Sequence, residues 1–365
     1  MLRHSRRFAS VWSDFATRAA SLRVADANSR RDVLGAIPEF YGPSSIANRE
    51  QRWGYHQPEQ INETFQMAYE LLEQDAATKY EEVEQLKQKL ASADADKQAG
   101  YRKRIAATLA AAEKHNPEVV FNVATETAEA DDLSQPVYRE YARKKWAEHD
   151  RMVTMQRMEQ LHMIPDTLPT VEPTADIKVK FPHNADAEFA SWVEPGTVLP
   201  GFAVAQPPTV QIRQFDDIEP DTLYTVAMVN PDTPDLAANS FSTTLHWGLA
   251  NVSLPDAQGI LGTKWQMENA DKVFFDYVPL TPEKNAGEFQ RACLWVWRQP
   301  GKIDVGSVNG EHFDIRQFAE AHQLTAVGGH LWRQKYDRSV PSLRQQYGLP
   351  VGRVFHRVRK AHPMV

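Results

Sequence analysis

The chain has 365 residues, enough for roughly two domains of ordinary size. Its 42% hydrophobic and 24% charged residues are the composition of a folded protein, and its longest apolar runs, such as Ala292 to Trp297, are strand-sized and far short of the ~20 residues that span a bilayer. A single cysteine, Cys293, excludes an internal disulfide and any CxxC metal or redox motif, and a formal net charge of -7 excludes diffuse nucleic-acid binding through a basic surface, so any RNA contact must be local.

The first twenty residues place Arg3, Arg6, Arg7 and Arg18 among small and apolar residues, with Asp14 the only acid before Asp26. An Arg-rich, acid-poor start of this kind has the composition of a mitochondrial transit peptide, with Arg6 to Ser10 a candidate processing run. An ordinary basic tail shares that composition. Residues 21–60 show no sustained apolar period, carry Trp53 and Tyr55 as isolated aromatics, and are expected to form an extended arm that orders against a partner.

Residues 61–165 read as helical. Ile61, Phe65, Ala68, Leu72, Ala76, Tyr80, Val83, Leu86 and Leu90 recur at spacings of three and four and predict a helix over 61–91. A second helix is expected from about Tyr101 to His115, ending at Asn116-Pro117, so that the two form a helical hairpin with a charged exterior. A third, capped by Ser134 with Pro136 in its first turn, ends before Ile164-Pro165 and carries Met152, Met155, Met158 and Met163, a face suited to core packing.

From residue 166 to about 350 the period changes to two. Strands are expected at 177–181, 210–215, 223–230, 243–254, 273–278 and 291–299, followed by a helix at 315–322 capped by Asp314 and another at about 340–347 stopped by Gly348. Many strands with late helices make the fold class α+β: an N-terminal extension and helical hairpin, then a mainly β domain with C-terminal helices. Residues 351–365 form a basic tail, in which Arg353, Arg357, Arg359 and Lys360 offer a local site for RNA phosphates or a merely solvated terminus.

No GxGxxG, GxxxxGK, GxSxG or HExxH motif occurs, and His312, His322 and His330 do not share a helical face, so neither a cofactor nor a metal is expected. Cys293 lies in a strand-like run, which favours an inert buried thiol. No nucleophile–base pair is recognisable, and the chain reads as a non-enzyme.

Two segments carry a resemblance. Tyr224 to Asn230 runs into Pro231-Asp232-Thr233-Pro234 and is followed by His246 to Asn251; Tyr277, Pro279, Pro282 and Gly287 lead into Arg291 and the strand Ala292 to Trp297. With Phe313 to Ala319 and Gly328 to Arg333, this order resembles the phosphatidylethanolamine-binding-protein (PEBP) family over about residues 175–340. The resemblance implies a mainly β PEBP-like domain and a small anion pocket in which histidines and neighbouring polar groups hold a phosphate-type head group.

Carried over by spacing, the chain keeps Asp232, Pro234 and His246. Asn230 stands where the family has its first Asp, Leu245 replaces a His, Gln290 replaces the second-loop His, and Ala292 replaces a Tyr. Glutamine cannot become cationic and alanine offers no hydroxyl, so the pocket is expected to be degenerate. The arm, the hairpin, the Ile164 to Pro169 linker, Pro282 to Gly287 and the ending Tyr347 to Phe355 are similar to one branch in particular, the PEBP-like proteins of the mitochondrial large ribosomal subunit. That resemblance implies a structural subunit of the central protuberance in the matrix, supporting mitochondrial translation. It would be held mainly by other large-subunit proteins, with limited rRNA contact. The alternative is a free PEBP-type binder of a phospholipid head group or small anion.

Overall fold

A computed structural model describes residues 11–13, 18–34, 45–55, 60–215 and 222–356, and divides into two compact units, residues 1–144 and 145–365. Unit 1 is helical, with α1 (Ala27–Val33), α2 (Arg49–Trp53), α3 (Ile61–Ala91), α4 (Ala95–Glu113), α5 (Pro117–Ala124) and, closing it, α6 (Pro136–Lys145). The expected hairpin is α3 packed on α4. Helix α4 begins before Tyr101 because Gly100, which interrupts the apolar pattern, lies on an open face where glycine costs only about 1 kcal/mol.

Asn116-Pro117 both stops α4 and starts α5, since the Asn116 side chain accepts from Glu118 N and Pro117 needs no N–H at the first helical position. Ser134 does not cap the third helix; its hydroxyl donates to Asp132 Oδ1. The core of this unit is small: Leu22, Ala110, Val119, Val137 and Tyr138.

The expectation of an extended arm over 21–60 is corrected in its first part. Leu22 and Val24 are buried, and residues 20–34 contain a 3-10 turn and α1. Polar anchors hold this segment down. Arg18 donates two hydrogen bonds to the Glu113 carboxylate (2.7 and 2.9 Å), Val24 N donates to Glu118 Oε2 (2.9 Å), and Ser21 donates to Asp132 Oδ2 (2.5 Å). Further upstream, Trp12 is buried, with its Nε1 donating to Ala112 O (3.2 Å) and its ring edge-on to Tyr69 (5.4 Å). The remainder of the stretch read as a transit peptide, residues 1–10 and 14–17, lies outside the described residues.

Unit 2 opens on a π-helical turn (Trp146–Asp150), α7 (Arg151–Gln160) and a short kinked α8 (Met163–Asp166). Two sheets follow. The smaller has the order β1-β3-β6, from β1 (Ala175–Lys180), β3 (Thr209–Gln214) and β6 (Ile260–Leu261). The larger has the order β2-β9-β8-β4-β5-β7, from β2 (Val198–Leu199), β4 (Leu223–Asp235), β5 (Ser240–Ser253), β7 (Val273–Phe275), β8 (Gln290–Arg298) and β9 (Thr325–Gln334). Short α9 (Ala187–Ala190) and α10 (Thr263–Glu268) carry no buried residue, whereas α11 (Ile315–Ala321) and α12 (Val340–Gln346) do. No helix among the described residues is long and apolar enough to cross a membrane.

Side-chain alternation along the central strands explains the layering. On β8, Ala292, Leu294 and Val296 join Val226 and Met228 of β4 in the core that also takes in β1 and β3. The intervening Cys293, Trp295 and Trp297 enter a second core with Ala227, Val229, Met158, Met163, Ile315 and Phe318. A sheet buried on both faces explains why these strands read as continuous apolar runs. Of the Met-rich face, Met158 and Met163 are fully buried, while Met152 is exposed.

Strand β9 escapes a period-two reading because Gly328 and Gly329 interrupt it. Both are there for close packing: a Cβ at Gly328 would lie 2.9 Å from Ala175 O, and one at Gly329 2.9 Å from Leu294 O.

Candidate functional site

The residues expected to form the degenerate anion pocket sit where β4, β5 and β8 end. On β4, alternation carries Asn230 to the same face as Val226 and Met228. There its Nδ2 donates to Gln290 Oε1 (3.1 Å), and its Oδ1 accepts from Asp232 N (2.9 Å). Gln290 Nε2 donates to Asp232 O (3.3 Å), so Asn230, Asp232 and Gln290 close a ring of hydrogen bonds among themselves. Asn230 and Gln290 are both buried.

The Asp232 carboxylate is taken by the neighbour of Gln290. Alternation along β8 sends Arg291 to the opposite face. Its Nε donates to Asp232 Oδ2 (2.8 Å), its Nη2 to Asp232 Oδ1 (2.5 Å), and its backbone N to Oδ2 (2.9 Å). The remaining Arg291 nitrogen, Nη1, donates to Leu161 O (2.9 Å), His162 O (2.8 Å) and Asp166 Oδ2 (2.8 Å). Arg316 of α11 reaches the same linker, donating to Thr167 O (2.9 Å) and Pro165 O, and Trp295 Nε1 donates to Thr167 Oγ1 (2.9 Å). Arg291 is therefore a fork that joins the Asp232 turn to the segment entering the β domain.

His246 is placed by a bulge: Met228 pairs with Trp247 and Val229 with Leu245, leaving His246 as the extra residue of β5. Its Nδ1 donates to Val278 O (2.8 Å), while Val278 N donates to His246 O (2.8 Å). Burial lowers the His246 pKa from its ordinary value to about 4, against the raising effect of the Val278 carbonyl, so the imidazole is neutral at pH 7. Among the described residues no hydrogen bond joins His246 to Asn230, Asp232 or Gln290. Pro234 lies further out on the β4–β5 hairpin, opposite Phe241. The structure thus joins three of the five expected pocket residues by hydrogen bonds, and neither His246 nor Pro234 takes part in that ring.

Three further residues shape this place and were not among the expected pocket residues: Arg291 and Trp332, which lie in segments that carry the resemblance, and Gln334. The signal for Arg291 was available, as it is the charged residue that opens the apolar run Ala292 to Trp297. The place of Trp332 and Gln334 beside it was not readable, because β9 was not recognised as a strand. In the register Ala292 faces Trp332 and Gln290 faces Gln334. The small Ala292 leaves room for the fully buried indole, which packs edge-on against Phe181 (5.5 Å). Gln334 is 1% exposed, and neither of its amide atoms has a protein partner.

The chemistry left at this place suits an anion poorly. It holds a carboxylate already paired with Arg291, the Asn230 and Gln290 amides bonded to each other, a neutral histidine turned to a backbone carbonyl, and the uncharged Gln334 amide. Cys293, on the far face of β8, is a buried thiol whose pKa burial pushes up to about 12, so it is no nucleophile at neutral pH.

Of the tail residues proposed for RNA contact, Arg353 is exposed and its backbone N donates to Glu283 Oε1 (2.9 Å). Arg357, Arg359 and Lys360 lie outside the described residues. A chain segment next to Arg353 is anchored by Phe355 N, which donates to Lys284 O (2.9 Å).

Residues 189–333 match the family model described as phosphatidylethanolamine-binding protein. Among curated proteins, the chain is similar to the large ribosomal subunit protein mL38 of Schizosaccharomyces pombe, 24% identical over 220 residues that cover 59% of this chain and 67% of that protein. It is also similar to the putative odorant-binding protein A5 of Drosophila melanogaster, 26% identical over 203 residues, covering 53% of this chain and 85% of the relative. A solved structure of a carboxypeptidase Y inhibitor complexed with its cognate proteinase aligns with a TM-score of 0.41 and 14% identity, covering 51% of this chain and 97% of that one. The chain therefore carries a PEBP-like domain behind an N-terminal helical region, as the sequence resemblance implied, in a protein similar to mL38.

Proposed function

We propose that the chain is a structural, non-catalytic constituent of the large subunit of the mitochondrial ribosome, seated in the central protuberance on the matrix side and supporting mitochondrial translation. The similarity to mL38 carries this reading. The arrangement around Asp232 supports it over ligand binding: Asn230, Asp232, Gln290 and His246 bond to one another, to Arg291 or to backbone. An anion entering there would have to break those bonds, at about 1–3 kcal/mol for each charge-assisted one.

An acidic chain with a net charge of -7 suits a position among proteins, with rRNA phosphate reached locally through Arg353, Arg357, Arg359 and Lys360. The presequence is proposed to end ahead of Trp12. Trp12 and Arg18 are anchored to α4, and removing them would strip unit 1 of a buried ion pair and a buried aromatic. N-terminal mass spectrometry of the mature protein should find its first residue at or before position 12; a start after Arg18 would refute that boundary.

The test of function is sedimentation of the tagged protein from mitochondrial lysate on a sucrose gradient, at moderate and then high salt. Co-migration with the large ribosomal subunit in both is expected. A slow, free peak at moderate salt would overturn the structural reading and favour a free PEBP-type binder.

A further inference from the structure

The first turns of α3 stand clear of the small core of unit 1. In the second half of the helix Ala76, Val83 and Leu86 are buried, whereas Ile61, Phe65, Met67 and Leu71 are 50%, 53%, 64% and 67% exposed. At the helical turn angle, Ile61, Phe65, Met67, Leu71 and Leu72 fall within an arc of ~160°. This is one apolar stripe over about three turns of helix, and Glu63 and Glu70 border it on the Met67 side. Its charge is one-sided: Glu63, Glu70, Glu73 and Asp75 lie in this part of the helix, and the first base is Lys79.

An apolar stripe of this size gains free energy when it is covered, and the charge beside it selects what can cover it. RNA is disfavoured, because its phosphates would meet Glu63 and Glu70 at the edge of the stripe and Asp75 just beyond its end. A second copy of the same stripe would set Glu63 and Glu70 against their own kind. A helix with an apolar face bordered by Lys or Arg satisfies both requirements, burying the stripe by ridge-into-groove packing and pairing its rim with the acids.

We propose that residues 61–72 are a docking site for an amphipathic, basic-flanked helix of a partner protein. The inference rests on the subunit reading only for the assembly in which that partner is found.

The test places a photo-crosslinking benzoylphenylalanine at the exposed Leu71 of the full chain, produced in mitochondria, and irradiates gradient fractions before mass spectrometry of the linked peptide. The expected product is a peptide of another protein with apolar residues flanked by Lys or Arg. The variant Glu63→Lys/Glu70→Lys should lower its yield at least ten-fold, while Glu81→Lys, on the same helix beyond the stripe, leaves it unchanged. Linkage to RNA, to a second copy, to this chain itself or to a peptide without basic flanks would overturn the proposal, as would no linkage or a yield indifferent to the charge reversal. The two readings fail separately. A free-sedimenting chain that still gives the expected link would lose the ribosomal assignment and keep the docking site; a ribosome-bound chain without the link would do the reverse.

Discussion

The two units hold themselves together by different means. Among the described residues unit 2 buries twenty-two side chains in one apolar cluster and fourteen in another, whereas the corresponding cluster of unit 1 has five. Unit 1 compensates with buried polar lashings. Glu113 accepts from Arg18, Tyr80 and Asn116, and Glu118 accepts from Val24 N and Arg30 (3.0 Å). Apolar burial is indifferent to which neighbour supplies the surface, but a buried carboxylate is stable only with its particular partners in place. Unit 1 should therefore fail at single polar residues, and unit 2 should tolerate them.

The largest expected effect tests that contrast directly. Arg18 and Glu113 are both about 4% exposed at the side chain, so Glu113→Ala breaks a buried ion pair and removes the acceptor shared by Arg18, Tyr80 and Asn116, a loss of about 3–5 kcal/mol. Two-transition urea melts should show the unit 1 transition displaced and the unit 2 transition unmoved, with residues 11–24 exposed to hydrogen exchange. A variant that melts like the parent would mean that the lashings do not hold the segment.

Acid should reverse the order of failure. His246 and His330 are buried in unit 2, and burial lowers both pKa values from 6.5 to about 4, outweighing the raising effect of the carbonyls of Val278 and Val193. A lowered folded pKa means that the unfolded chain binds more protons between the two values. The stabilisation is thus complete above pH 6.5 and lost as pH falls toward 4, at about 3 kcal/mol for each histidine. Asp176, whose carboxyl burial raises, offsets part of this. In unit 1, burial raises Asp132, but hydrogen bonds from Ser134 and Ser21 together hold it below 3.8, so its contribution persists to lower pH. Melts between pH 7 and 4 should show unit 2 losing stability while unit 1 holds. His330→Phe should flatten part of that slope.

Much of this division was legible in the sequence. Period-two runs located β1, β3, β4, β5 and β8, and the Asn230 to Pro234 turn with His246 pointed to the place where the sheet ends. What was not legible depended on contacts distant in sequence. Leu22 and Val24 look like an arm, and Arg18 like part of a transit peptide, because their partners, Val119, Glu118 and Glu113, lie about a hundred residues away. At the candidate site, the absence of the family's histidine and tyrosine was readable from Gln290 and Ala292. That Arg291 would take Asp232, and that β9 would set Trp332 against Ala292, required the register of three strands.

Gln334 sharpens the contrast from the other side, since it is a polar group in unit 2 with no protein partner on either amide atom. Leaving a buried amide unsatisfied costs about 1–3 kcal/mol, so Gln334→Met, similar in shape and without polar atoms, should stabilise unit 2 by about that amount. Calorimetry would read it as a rise in the unit 2 melting temperature alone. A fall would mean that the amide is satisfied by something bound at the sheet's end, and the degenerate-pocket reading would have to be abandoned.

The smallest expected effect is the most telling for unit 1. Leu71 is 67% exposed, so in the isolated chain Leu71→Glu removes no packing and should change stability by no more than about 0.5 kcal/mol, the usual range for surface positions. The same substitution within the assembly adds a carboxylate to the apolar stripe. Chemical melts of the purified chain should be unchanged while incorporation into the large-subunit fraction, in competition with the parent chain, falls. If the isolated protein were destabilised by several times that amount, α3 would already be packed along its whole length, and unit 1 would be as self-sufficient as unit 2.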